Sequence, residues 1–203
     1  MGHAMVNVMA NRVVALPVAI ALSGAFAVAC NDPPTAPPTS ITDVEVLPNR
    51  VIVEGSGNRL RALGAEGNVR WELSLPDFDT LVAPLAPARN SSVYARGAKA
   101  IHAVDPWGKV LWNYALTATV ISPAKMRTYE PVALPDSGVV LAVGKGALVS
   151  LFANGSERWE VDIPSGDFVG APTALENGDV VVPTTTGVYA YSPTGSVEWH
   201  AAP

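Results

Sequence analysis

The chain has 203 residues, 49% of them hydrophobic and 15% charged, a balance that builds a packed core and excludes a disordered polymer. All 18 acidic residues follow Cys30, whereas one of the 13 basic residues, Arg12, precedes it, leaving twelve basic against eighteen acidic and a net −6 beyond Cys30. An acidic surface repels phosphate backbones and argues against nucleic acid as a partner, and a single cysteine excludes an internal disulfide or a Cys-based zinc site.

Residues 13–29, VVALPVAIALSGAFAVA, are an uncharged run behind Asn11-Arg12, the pattern of an export signal. The run has about the minimum length for a membrane span, but Pro17, Ser23 and Gly24 weaken it as a spanning helix. Its end, Ala27-Val28-Ala29-Cys30, resembles a lipobox, which implies that Cys30 is diacylated and becomes the mature N-terminus. Ala27 stands where that pattern prefers Leu, and Ala27-x-Ala29 also suits an ordinary signal peptidase. Lipoprotein, secreted protein and uncleaved anchor are therefore three alternatives, and the lipoprotein is the expectation taken forward. Acyl chains contribute about 0.8 kcal/mol per buried methylene. Residue 31 is Asn rather than Asp, so the address expected is the outer membrane, facing the periplasm.

Residues 31–40, NDPPTAPPTS, hold four prolines. Such a stretch favours extended polyproline II at about 3.1 Å per residue, a stiff spacer of roughly 30 Å. An untethered disordered end has the same composition.

From residue 41 to 203 the chain repeats itself. Four segments end on Gly-x-x-x-Trp, pairing Gly67 with Trp71, Gly108 with Trp112, Gly155 with Trp159 and Gly195 with Trp199, and successive tryptophans lie 41, 47 and 40 residues apart. Each unit reads as four short strands separated by Gly, Pro and Asn turns. The first gives TDVEVLP, RVIVEG, RLRAL and VRWELSL; the second VAPLAP, SSVYAR, AIHAV and KVLWNYAL. The third gives PVALP, GVVLAVG, ALVSLF and ERWEVDI; the fourth APTALE, DVVVPTT, VYAYS and SVEWHA, with Asn177-Gly178 as a two-residue turn. Asp105-Pro106-Trp107-Gly108 and Ser192-Pro193-Thr194-Gly195 suit type I turns. Pro84, Pro131 and Pro172 recur 27 or 28 residues before a repeat tryptophan and should mark strand starts or edges. The expectation is an all-β, β-propeller-like array of four four-stranded blades, a partial propeller.

The Ala103-Val104-Asp105…Gly108…Trp112 copy resembles the tryptophan-docking (PQQ-like) repeat of the quinoprotein-type β-propeller superfamily. It is one residue shorter than the form in quinone dehydrogenases. The other copies carry Gly64, Phe152 and Ser192 at the Asp position. The resemblance implies a propeller in which Trp71, Trp112, Trp159 and Trp199 fill gaps between blades, each ring burying roughly 150–250 Å², with Gly67, Gly108, Gly155 and Gly195 at the turns before them. Rings of that superfamily usually hold seven or eight blades. Four blades then allow an open arc, a tight ring, or a homodimer completing eight.

Few residues are placed for chemistry. His3, His102 and His200 have no metal-ligand spacing; Asp77 and Asp79 in LPDFDT read as a solvated loop rather than a Ca²⁺ site; no serine has a nucleophile-elbow setting and no Gly-rich loop cradles a phosphate. No catalytic residue, metal or cofactor is expected. Trp107 lies at a turn tip, which suits either a partner contact or packing on the neighbouring blade. The loop 117–130, TATVISPAKMRTYE, carries the extra length of the second interval, and Lys125, Arg127 and Tyr129 make it a candidate partner contact or a tolerated insertion. The function expected is a non-enzymatic, membrane-tethered interaction or scaffold module of the cell envelope with an envelope protein as partner, as the resemblance implies for lipoprotein members serving outer-membrane barrel assembly. The alternatives are a fragment or relative of a quinoprotein dehydrogenase, which uses pyrroloquinoline quinone and Ca²⁺, and a ligand-binding sensor propeller.

Overall fold

Strands of four to six residues joined by short turns pair with the strand next in sequence, because a tight turn leaves no other partner in reach. The computed structural model describes residues 43–116, 130–144 and 146–203, within a unit running Pro38–Pro203. Blade 1 is β1 (Asp43–Val46), β2 (Ile52–Ser56), β3 (Arg59–Leu63) and β4 (Val69–Ser74); blade 2 is β5 (Ala86–Pro87), β6 (Val93–Arg96), β7 (Ala100–Val104) and β8 (Val110–Ala115). Blade 3 is β9 (Val132–Ala133), β10 (Val139–Val143), β11 (Ala147–Leu151) and β12 (Glu157–Asp162); blade 4 is β13 (Thr173–Ala174), β14 (Val180–Thr184), β15 (Gly187–Tyr191) and β16 (Val197–Ala201). Each blade is an antiparallel meander in sequence order. The all-β array of four four-stranded blades expected from the repeat is what the chain forms, and the one helical element described is a 3₁₀ turn, Pro76–Phe78.

The first strands β5, β9 and β13 are two residues long, not the five or six expected from VAPLAP, PVALP and APTALE. Proline is the reason: Pro131 and Pro172 sit immediately before β9 and β13, and Pro84 two residues before β5. Lacking an N–H, they cut the ladder where it begins. These short strands lie next to the first strands of neighbouring blades.

Asn177-Gly178 is not a two-residue turn. Gly178 N donates to Leu175 O and Leu175 N to Asp179 O, so the turn is the four residues 175–178 with Gly178 in the left-handed region at φ 91°. Arg50, Ser91 and Ser137 occupy the same place in the other blades, each at φ 64°. Turns between third and fourth strands share this pattern and end on Gly67, Gly108, Gly155 and Gly195, at φ 78–85°.

Each blade also has one bulge, between third and fourth strands, after Ala62, Ala103, Ser150 and Ala190. It falls just before the repeat tryptophan on the facing strand, and a bulge twists a strand and re-aims the side chain beside it.

Among the described residues, apolar side chains gather into three cores, one between each pair of successive blades. Strand β6 shows how one sheet serves two of them: Val93 and Ala95 enter the core with blade 1, and Tyr94 enters the core with blade 3. Next to Tyr94, Arg96, buried at 2% exposure, donates from Nη1 to the Ala142 carbonyl of blade 3 at 2.6 Å. The period of two thus splits each strand between two neighbours, and every blade needs the next to bury its face.

Candidate interaction surface

The repeat tryptophans point forward along the chain. Trp71 of blade 1 donates its indole N–H to Pro106 O of blade 2 at 2.9 Å, Trp112 to Ala153 O of blade 3 at 2.8 Å, and Trp159 to Pro193 O of blade 4 at 3.0 Å. Each ring lies flat against the glycine two residues past that carbonyl. A side chain on Gly108 would stand 2.7 Å from the Trp71 ring, one on Gly155 2.5 Å from Trp112, and one on Gly195 2.9 Å from Trp159. Glycine is needed there twice over, for the left-handed backbone and for the ring's approach.

The two ends of the series differ. Nothing lies within 4 Å of where a side chain on Gly67 would be, and Trp199 is 48% exposed. Among the described residues the four blades therefore do not close into a tight ring.

Trp107 is 80% exposed at the tip of the β7–β8 turn, so of the two readings of this residue, packing on a neighbouring blade is excluded. The turn under it is firmly held. Asp105 Oδ1 accepts from Trp107 N at 2.9 Å and Lys109 N at 2.8 Å, and the Pro106 carbonyl is taken by Trp71. In blade 4 the Ser192 hydroxyl takes the place of Asp105, accepting from Ser196 N at 3.1 Å. Blade 3 has Phe152, 44% exposed, with the Arg158 guanidinium 4.4 Å over its ring, a cation–π contact. Arg158 also pairs with Asp136; partial burial pushes that carboxyl up, but the Gly138 N–H and Arg158 outweigh it and hold it below its ordinary range. Nearby, Tyr94 donates its hydroxyl to Ser137 O, and burial, with a smaller push from Asp136, raises it to about 12.

At the same end, a cavity of about 190 Å³ lies between the inner turns, lined by Pro87, Arg89, Leu134, Pro135, Leu175 and Glu176, with Arg89 and Glu176 paired at 2.5 Å. Cys30, Lys125, Arg127 and Tyr129 lie outside the described residues.

A buried polar cluster escaped the sequence reading. Asp79 is not in a solvated loop: it is 2% exposed, and its carboxylate accepts from Lys99 N at 3.0 Å, Ala100 N at 3.0 Å and His102 Nε2 at 3.1 Å. The Asn113 amide faces His102 Nδ1 at 2.8 Å. The five belong to blade 2 and the segment entering it, spaced so that no motif reveals them. Among the described residues, no three His, Cys, Asp or Glu side chains converge as metal ligands.

Comparison with known proteins agrees with this geometry. The model of the family described as outer membrane protein assembly factor BamB matches residues 34–124 and 98–203. No curated protein sequence matches the chain. Among solved structures, BamB from Moraxella catarrhalis is 22% identical with a TM-score of 0.63, over 80% of this chain and 53% of that one. BBS1N in complex with ARL6DN is 15% identical with a TM-score of 0.56, over 75% of this chain and 49% of that one. The chain thus spans about half the length of the solved propellers it matches, and it belongs to the family of the outer membrane protein assembly factor BamB.

Proposed function

We propose that the chain is a non-enzymatic protein-interaction or scaffold module of the bacterial envelope, tethered to the outer membrane through acyl chains on Cys30 and held off it by residues 31–40. The observation that carries the interaction role is Trp107. An indole held 80% in water on a turn pinned by Asp105 and by Trp71 keeps a large apolar surface exposed on a rigid mount, as interface anchors do. Phe152, at the corresponding turn of blade 3, is a second exposed ring. BamB, the family's namesake, is by its name an assembly factor for outer membrane proteins, which supports an envelope protein as partner.

The test is a photoreactive benzoylphenylalanine at position 107 in cells of the native host. A discrete adduct with an envelope protein is expected there, and none from the same group at Phe78, an equally exposed ring beyond the other end of β4. Equal labelling from both positions, or dye reduction on adding pyrroloquinoline quinone, Ca²⁺ and an alcohol, would overturn the reading. The tether is checked separately by mass spectrometry, which should find acyl mass on Cys30; an unmodified residue 30 removes the tether and leaves the interaction role standing.

A further inference from the structure

We infer that blade 2 carries a small-ligand site, separate from the surface around Trp107, for a neutral, hydroxyl-bearing ligand of one ring, in the manner of a sugar residue. It lies at the opposite end of β7 from Trp107. Its walls come from β7, β8, the turn before β7 and the segment entering blade 2, so one blade forms it without help from its neighbours. The cavity measures about 230 Å³. A cavity of about 150 Å³ takes a bare six-membered ring, so this one has room for a ring with substituents and little more.

The buried polar cluster holds one wall in place. Asp79 and His102, each 2% exposed, contact each other at 3.1 Å, and His102 Nδ1 faces the Asn113 amide at 2.8 Å. All three border the cavity. Asn113 stands exposed on an outer strand, where a free amide would sample several rotamers; tied to His102, it has lost that freedom before a ligand arrives. Asp77 and Lys99 form the rim. Lys99 Nζ donates to the Asp77 carbonyl at 3.1 Å, and the Asp77 carboxylate has no partner among the described residues. The turn that carries it puts both Asp77 and Phe78 in the left-handed region, at φ 53° and 51°, which non-glycine residues seldom adopt and which costs conformational energy.

These groups select the class of ligand. An anion would meet the unpaired Asp77 carboxylate, and a cation would meet the Lys99 ammonium. A neutral molecule with several hydroxyls suits both, donating to Asp77 and accepting from Lys99 and from the Asn113 amide. Pro76, Ala100 and Ala115 supply small apolar walls for the C–H faces of such a ring. A few fixed polar groups among apolar walls is the make-up of a small-molecule site.

A saturation-transfer NMR titration of the full chain, in a detergent without a sugar headgroup, tests the inference with glucose and methyl glucoside. Saturable binding is expected at roughly 1–10 mM, the range that ligand efficiency allows a single ring. Binding of both sugars points to a residue within a glycan, and binding of glucose alone to the free sugar. Asp77→Gly removes the carboxylate and suits the left-handed backbone. Ala115→Leu fills the cavity from an exposed position and leaves every polar group in place. Leu111→Ala, on the same strand but away from the cavity, is the control. Each of the first two changes should weaken binding at least about tenfold, as loss of a hydrogen bond to a charged group does, and the third should leave it unchanged. Acetate and methylamine should not compete. No saturable binding of either sugar, binding indifferent to both Asp77→Gly and Ala115→Leu, or displacement by either ion would each overturn the inference.

Discussion

Trp159→Ala is expected to lower the unfolding free energy by about 3–5 kcal/mol, the range for deleting a large buried ring, against a typical domain total of about 5–15 kcal/mol. Three losses add at this position. The indole is 9% exposed in the core between blades 3 and 4, it stacks on Tyr191 with centroids 6.4 Å apart, and it holds Pro193 O at 3.0 Å. Collapse cannot refill the site, because the floor under the ring is the backbone of Gly195. Trp159→Phe keeps an aromatic ring and loses the N–H bond, so its cost should be nearer about 1–1.5 kcal/mol. Trp199→Ala, at the same place in blade 4 but with its ring 48% exposed, should cost under about 1 kcal/mol in the 203-residue chain. Urea unfolding of the four proteins decides the matter. Equal losses at positions 159 and 199 would mean that burial within the blade, rather than the seam with the next blade, sets the contribution of these residues.

The contrast between those two tryptophans shows what the sequence carries and what it does not. Four Gly-x-x-x-Trp endings at intervals near forty residues fix the number of blades and the strands within each, because a period survives substitution at any one position. The same pattern marks Trp159 and Trp199 identically, and only the burial of the ring, 9% against 48% exposed, separates them. The carbonyl acceptors Pro106, Ala153 and Pro193 share an offset from the turn glycine but not a single residue type, since any residue offers a carbonyl. The bulges are silent for another reason: Val110 and Trp112 have the same parity in the sequence, and only the bulge between them turns one toward blade 1 and the other toward blade 3. Strand lengths failed where proline interrupts a ladder that composition alone would extend. Asp79 failed because a carboxylate in a Pro-Asp-Phe-Asp turn signals solvent, and the groups that bury it come from β7 and the turn before it, about twenty residues downstream.

Asp79→Ala should cost about 3–5 kcal/mol, for reasons unlike those at Trp159. The carboxylate is the acceptor for Lys99 N, Ala100 N and His102 Nε2. Removing it leaves buried donors without partners, each at about 1–3 kcal/mol, while the space vacated is small. Asp79→Asn keeps one acceptor oxygen in the same volume and should cost roughly half as much. The turn before β7 was shaped around this side chain: a Cβ on Gly97 would fall 1.9 Å from Asp79 Oδ2, with no left-handed backbone at that glycine to complicate the change. Gly97→Ala alone should therefore be destabilising by about 2–3 kcal/mol, as for overpacking of a fixed buried group. In the Asp79→Ala background the methyl enters vacated space and should cost almost nothing. The double mutant then lies well short of the sum of the single changes, a coupling of about 2 kcal/mol between residues in contact. Additive losses in urea would show that Asp79 and Gly97 contribute separately and that the carboxylate does not hold the turn.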